Sequence, residues 1–395
     1  MRTAGIICEC DPPHAGHAYL IGQARQKCDA VVCLMSGCFV QRGDAAVLSP
    51  HARARMLLRM GADLVLELPF PWAASGAETF ADAGVSILAR LGIDELWFGS
   101  ESGDLAALSA LADAARSEAF RAFYAGRNRS SSDGTAALYR ESLAAFCGCG
   151  TTVPPNDLLG VSYLRAIGEQ SSSMTPVTVR RVGSGYADGA LPAGGFASAT
   201  ALRNVLFCDG YEKIAPFLPE GIRDLLAAEC AAGRAPASLE RASSALLTFL
   251  RLCDPGVFAR CAESSGGVGM RLKKIAGEVA GLSDLFARAS TKKYPDARLR
   301  RALLFSLLGV TRDDLRTPPA YVRPLAFDRT GADLLAAVRG TSRVAVAMTR
   351  GAIPRQSAAA RQKELGDRAE SLYACCLPCP ASPAELARRV PCPDV

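Results

Sequence analysis

The stretch Gly5-Ile6-Ile7-Cys8-Glu9-Cys10-Asp11-Pro12-Pro13-His14-Ala15-Gly16-His17 holds two of the three histidines of a 395-residue chain. Ala4 to Glu9 reads as an apolar strand and His17 to Lys27 as a helix, so the histidines flank a strand-to-helix junction. Such a junction turns the unpaired N–H groups of the first helical turn, and the positive end of the helix dipole, toward the loop. Gly16 has no Cβ to hold a phosphate away, and imidazole N–H groups can donate to phosphate oxygens. Three readings compete: a chance pair, two metal ligands, or a phosphate cradle. Metal ligands on one helical face usually stand four apart, and no third histidine or carboxylate cluster lies nearby. The place at the end of the first strand therefore favours phosphate.

The same alternation continues outward. Ala30 to Met35, Leu64 to Leu68 and Glu95 to Phe98 read as strands, with helices over Pro50 to Met60 and Thr79 to Leu91. Nearly continuous apolar strands separated by helices predict an α/β fold, a Rossmann-like parallel sheet covered on both faces. Ligands bind such sheets at the carboxyl ends of the strands. Residues 11–17, 36–43, 69–72 and 99–101 fall there. A helical stretch from Ser102 to Cys147, with a polar break over Arg127 to Asp133, precedes a strand at Val177 to Arg181. A Gly-rich loop and a helix opening at Ser198 to Arg203 follow. Beyond Gly210 strand patterns almost vanish and amphipathic helices recur to about Lys363. Two domains are expected, 1–210 and a mostly helical 211–395 with a Pro-rich, loosely packed tail after Leu377.

A composition of 49% hydrophobic and 21% charged residues suits a globular chain. Its longest apolar runs, such as Ala302 to Val310, are too short to span a membrane. The first residues carry no signal-peptide pattern, since Glu9 and Asp11 break the apolar stretch, so a cytoplasmic location is expected. Fifteen cysteines then read as free thiols. Cys147-Gly148-Cys149 and Cys375-Cys376-Leu377-Pro378-Cys379 lack the second pair that a structural zinc site supplies, and no protein-bound metal is expected. The net charge of +6 is compatible with a polyanionic partner without specifying one.

His14-Ala15-Gly16-His17 resembles the HxGH signature of the nucleotidyltransferase superfamily, and the stretch from Gly5 resembles the opening of the bacterial tRNA(Met) cytidine acetate ligase family. Further segments of that family are resembled in order: Met35-Ser36-Gly37-Cys38-Phe39-Val40-Gln41-Arg42-Gly43, Gly61-Ala62-Asp63-Leu64-Val65-Leu66-Glu67-Leu68-Pro69, Phe98-Gly99-Ser100-Glu101, Pro155-Asn156-Asp157-Leu158-Leu159-Gly160 and Ala197-Ser198-Ala199-Thr200-Ala201-Leu202-Arg203. The resemblance implies an ATP-dependent ligase that activates acetate as acetyl-adenylate and acetylates N4 of the wobble cytidine of elongator tRNA(Met). It implies catalytic roles for His14 and His17 on the ATP phosphates. It also implies an ATP site built from Ile7, Cys8, Glu9, Cys10, Asp11, Pro12, Pro13, His14, Ala15, Gly16, His17, Ala18, Tyr19 and Leu20, completed by Gly99, Asn156 and Arg181. Ser198, Thr200 and Arg203 would face phosphates, and ATP would arrive with Mg2+.

Read without the resemblance, Gly99 also suits a strand end, Asn156 and Ser198 also suit helix caps, and Arg181 also suits an exposed surface. Ser36, Gln41 and Arg42 follow the second strand and are candidates on the substrate side. Lys273, Lys274, Lys292, Lys293, Arg298, Arg300 and Arg301, interleaved with Tyr294, are candidates for tRNA contact, against the plain alternative of solvated helix faces. The chain departs from the family pattern at Cys10, Asp11, Pro13, Ala15, Cys38 and Asp157. Asp11 matters most, because a carboxylate beside a polyphosphate repels it unless Mg2+ intervenes or the side chain caps the helix. A small-molecule adenylyltransferase of cofactor synthesis, and a nucleotide- or RNA-binding homologue without turnover, are the rival readings.

Overall fold

The computed structural model describes residues 1–130, 135–150, 152–182, 191, 196–387 and 392–393. Part of the expected polar break, most of the Gly-rich loop and part of the tail lie outside these residues. β1 (Thr3–Cys8), β2 (Ala30–Ser36), β3 (Leu64–Leu68), β4 (Glu95–Ser100) and β5 (Thr175–Arg180) form a parallel sheet in the order β5-β4-β1-β2-β3. Period-two alternation sends Ile6, Cys8, Cys33 and Met35 to one face and Ile7, Val32, Leu34 and Leu66 to the other. Helices α1 (Ala15–Arg25) and α2 (Pro50–Arg59) cover the first face. Helix α3 (Ala77–Leu91) covers the second, which also carries α4 (Leu105–Arg116), α5 (Glu118–Ser130), α6 (Thr135–Phe146) and α7 (Pro155–Glu169) at its edge. Burial on both faces is why these strands read as unbroken apolar runs. The strand order reverses between β1 and β4, which opens a crevice at their carboxyl ends.

After α8 (Ala199–Cys208) the chain is mainly helical, built on a second core that includes Leu246, Leu272, Phe286, Leu303 and Phe305. Strands do not stop at Gly210, however. Beyond β6 (Tyr321–Val322), β7 (Pro324–Phe327) joins the sheet antiparallel to β3, β8 (Ala345–Val346) pairs with β6, and β9 (Cys392–Pro393) extends the sheet beside β7. The sheet thus draws strands from both sides of the expected break. Pairs separated by about 260 residues in sequence leave no local pattern to read.

The two cores meet at the loops that follow β2 and β3, where Phe39 and Phe70 pack against Tyr373 and Phe305. Gly43 (φ +75°) makes the closest approach: a Cβ there would stand 2.5 Å from the backbone nitrogen of Arg301. The 36–43 loop is therefore seated on the helical half. No helix among the described residues is long and apolar enough to cross a membrane.

Candidate functional site

The two histidines cap the helix they open. His14 is the N-cap of α1, its Nδ1 accepting the Gly16 N–H at 3.0 Å, and His17 Nδ1 accepts the His14 N–H at 3.2 Å. Their ring centres stand 3.9 Å apart. Since Nδ1 of each ring is an acceptor, the neutral imidazole carries its proton on Nε2, which is left as a donor. Burial, with His17, Arg181 and Arg203 nearby, holds His14 well below the usual histidine range. Burial likewise lowers His17 to about 4. Both rings are neutral donors at pH 7. Gly16 has a role the sequence did not suggest: a Cβ there would lie 2.8 Å from Cε1 of His14, so the glycine makes room for the ring.

A cleft of about 290 Å³ opens beside this pair at the carboxyl ends of β1 and β4. Ile7, Cys8, Glu9, Cys10, Asp11, His14, His17, Leu20, Gly99, Asn156, Arg181, Ser198, Thr200 and Arg203 all line it, together with Gln41 and Arg42. Gly16 and Tyr19 face an adjoining recess bounded by Val179, Arg180 and Phe196. Pro12, Pro13, Ala15 and Ala18 belong to the same loop and helix without forming the cleft wall. Ser36, the third substrate-side candidate, is fully buried at the end of β2 and is not among the residues lining the cleft. The inner end is apolar, formed by Ala77, Phe80, Phe98, Leu159 and Tyr163.

Asp11 neither caps the helix nor faces the cleft as a bare charge. Its Oδ2 pairs with Arg42 and its Oδ1 accepts the Val47 N–H at 2.7 Å. Burial pushes its pKa up, but Arg42, Arg203 and Arg53 more than offset this and hold the carboxyl below its usual range. Arg203 in turn donates to the Asp11 carbonyl at 2.6 Å and to Thr200 Oγ1 at 3.1 Å, while Ser198 Oγ accepts the Ala201 N–H and caps α8.

Two positioning residues escaped the sequence reading. Arg53 on α2 is wholly buried and donates to Leu48 O at 3.0 Å, Glu9 O at 2.7 Å and Gly37 O, fastening both ends of the β2–α2 loop to the β1–α1 loop at the cleft. Its signal was its place on the same helical face as the apolar Met56 and Leu57. Glu101 accepts Nδ2 of Asn156 at 2.6 Å and the Asp157 N–H at 2.8 Å, and Asp157 returns a bond from the Glu101 N–H at 2.7 Å. Glu101, not Asn156, thus satisfies the start of α7, whose N-cap is Pro154. Asn156 is left with Oδ1 toward Arg181 Nη1, 3.5 Å away.

The tRNA candidates divide. Lys273 directs all three ammonium donors to carbonyls of Leu250, Arg251 and Cys253 at 2.9–3.1 Å, closing the C-terminus of helix 243–252. Arg298 holds Ser265 O at 2.9 Å. Arg300 pairs with Asp296 and Asp44, and Arg301 with Glu263 and Gln41 O, so both lean back onto the 36–43 loop. Lys274, Lys292 and Lys293 are exposed. Lys293, Arg271 and Arg298 surround the Tyr294 ring at 5.6–6.0 Å. Among the described residues no group of three or more His, Cys, Asp or Glu side chains is placed to hold a metal ion.

The model of the HIGH Nucleotidyl Transferase family matches residues 1–386. The chain is 32% identical to the tRNA(Met) cytidine acetate ligase of Syntrophomonas wolfei, over 97% of this chain and 96% of that one. It is 34% identical to that of Caldanaerobacter subterraneus, over 86% of each. Among solved structures it resembles Thermotoga maritima TmcAL, apo (27% identical, TM-score 0.92) and bound with alpha-thio ATP (26% identical, TM-score 0.90), with both chains covered in full.

Proposed function

Because this chain belongs to the tRNA(Met) cytidine acetate ligase family of HIGH nucleotidyl transferases, we infer that it acetylates N4 of the wobble cytidine of elongator tRNA(Met) at the expense of ATP. The observation that carries this reading is the convergence of two neutral imidazole donors, the α8 N-terminus, Arg181 and Arg203 on one cleft at the β1/β4 switch point. An acetate oxygen attacks the α-phosphorus and pyrophosphate leaves with the electron pair of the broken P–O bond. The cytidine amine then attacks the acetyl carbon, AMP leaves and the amine loses a proton. Neither step needs a covalent protein nucleophile. Both need positioning, and donors that strengthen as charge develops on phosphate oxygens.

Uncharged Nε2–H donors fit the first step, since they can hydrogen-bond the phosphate oxygens and strengthen as negative charge builds there. Glu9 and Asp11 are already engaged, with the Gln41 N–H and with Arg42, so Mg2+ is expected to enter as the nucleotide's own counter-ion. In this reading residues 1–210 carry the ATP chemistry in the cytoplasm, and the helical segment of 211–395, through Lys274, Lys292 and Lys293, meets the tRNA backbone.

The test is acetate-dependent exchange of labelled pyrophosphate into ATP, with and without tRNA(Met), for the native chain and His14→Ala. Exchange with acetate that is lost in the variant supports the reading. Exchange that requires a phosphorylated cofactor precursor instead of acetate makes the chain a small-molecule adenylyltransferase, and nucleotide binding with no exchange makes it a binding protein.

A further inference from the structure

Three thiols line the same cleft, and the acetyl-transfer chemistry uses none of them. Cys8, Cys10 and Cys33 form part of its wall, and all three are buried. We propose that Cys8 and Cys10 form a peroxide-sensitive dithiol that closes to a disulfide when the nucleotide cleft is empty, and so couples ATP binding to redox state.

Backbone geometry selects the pair. Cys8 sits opposite Met35 in the β1/β2 ladder, and Cys33 stands two residues earlier on β2. At about 3.3 Å per residue and 4.8 Å between strands, the Cys8 and Cys33 Cα atoms are about 8 Å apart. That exceeds the ~7 Å that a disulfide spans. Cys8 and Cys10, two residues apart, cannot exceed about 7 Å, and Cys10 adopts φ +51°, turning the chain at the end of β1. Cys8 is the more exposed of the two, 9% against 1%, and the neighbouring Cys10 and Cys33 thiols, with Arg53, lower its pKa against the opposing effect of burial. Cys8 is therefore the attacking sulfur. Its thiolate attacks a peroxide oxygen and displaces hydroxide, giving a sulfenic acid. The Cys10 sulfur then attacks Cys8, the S–O bond breaks and water leaves. Two electrons pass from the two thiols to the peroxide.

The closed ring contains Glu9, whose carbonyl is held by Arg53 and whose carboxylate is held by the Gln41 N–H, and it abuts Asp11, which anchors Arg42. Closure pulls these contacts out of register and lowers ATP affinity. ATP in the cleft covers the thiols and prevents closure.

Trypsin separates the outcomes, because Cys8 and Cys10 share the peptide between Arg2 and Arg25 while Cys33 lies in the next cysteine-bearing peptide, after Lys27. The full chain is treated with hydrogen peroxide, with and without ATP, then alkylated and digested. The expected product is a Thr3–Arg25 peptide two hydrogens lighter than its reduced form and alkylated at neither cysteine. Closure should slow about 100-fold at ATP one hundred times its Kd, and dithiothreitol should restore ATP binding. Cys33→Ser should close as the native chain does. Cys10→Ser should instead leave Cys8 as a sulfenic acid that dimedone traps; if that variant does not fold, the native peptide map decides alone. The proposal is overturned if both cysteines stay alkylatable at peroxide doses that oxidise the exposed Cys147 and Cys149, if the two peptides become cross-linked, or if ATP gives no protection.

Discussion

The cleft and the helical half both carry many basic residues, and they use them in opposite ways. In the cleft Arg181 and Arg203 keep a face on the cavity while their neighbours fix their position. In the helical half Lys273 gives every donor to a helix end, and Arg251 reciprocates by donating to Ala276 O and Val279 O at 2.7–2.8 Å. A basic residue is thus a binding group only where the surrounding carbonyls and carboxylates leave part of it unused. The comparison breaks first at His14. His14→Asn keeps an acceptor for the Gly16 N–H but removes the Nε2–H donor, so pyrophosphate exchange should fall ~10²–10³-fold with an almost unchanged melting temperature. His14→Ala should lose the same activity and a further ~1 kcal/mol of stability. If His14→Asn retains exchange, the histidine is only a cap.

The next largest effect is on stability. Arg53→Met leaves three carbonyls, two of them buried, without their donor and unfastens the β2–α2 loop from the β1–α1 loop, at a cost of ~3 kcal/mol or more. Arg301→Met, whose partners Glu263 and the Gln41 carbonyl are only partly buried, should cost under ~1 kcal/mol. Urea midpoints for the two variants test this; equal losses would erase the contrast between a knitted cleft and a more tolerant helical half.

That contrast also explains what the sequence made legible. Strands β1 to β4 and the histidine loop announce themselves because each lies on a local run of residues, and the cleft residues follow from a run of short motifs. Arg53 sits on an otherwise apolar helical face, a local clue that went unused. Glu101 lies inside a motif, but its role depends on Asn156 and Asp157, more than fifty residues away. Lys273 looks like any exposed helical lysine until three carbonyls from another helix surround it. β7 has only four residues and takes its meaning from β3. What failed to show was non-local pairing, both of strands and of charges.

Acid sharpens the comparison at a smaller scale. His14 and His17 have folded pKa values depressed below the unfolded ~6.5, so the stability they contribute is full above that value and is lost as pH falls, toward about 4 for His17. Asp11 is depressed from an unfolded ~3.9, so its contribution persists above that value and is lost only at lower pH. Between pH 6.5 and 4 the cleft histidines therefore lower stability as pH falls, against the opposite effect of buried carboxyls such as Glu9 and Glu67, whose pKa values burial raises. His14→Asn should reduce the slope of stability against pH by one proton, about 1.4 kcal/mol per pH unit, in denaturation series across that window. An unchanged slope would mean that His14 is already charged in the folded protein.

The smallest effects test the helical half itself. Lys273→Met should cost ~1 kcal/mol of stability, as loss of a helix-end cation does, while leaving the KM for tRNA unaltered. Lys292→Ala and Lys293→Ala should do the reverse: acetate-dependent exchange without tRNA stays as in the native chain, and each substitution weakens tRNA binding by ~1 kcal/mol and lowers the salt dependence by about one counter-ion. Measuring tRNA affinity at several salt concentrations separates the two classes, because a cap has no salt slope to lose. A salt slope that drops with Lys273→Met but not with Lys292→Ala or Lys293→Ala would reverse the assignment and place the tRNA on the face that Lys273 closes.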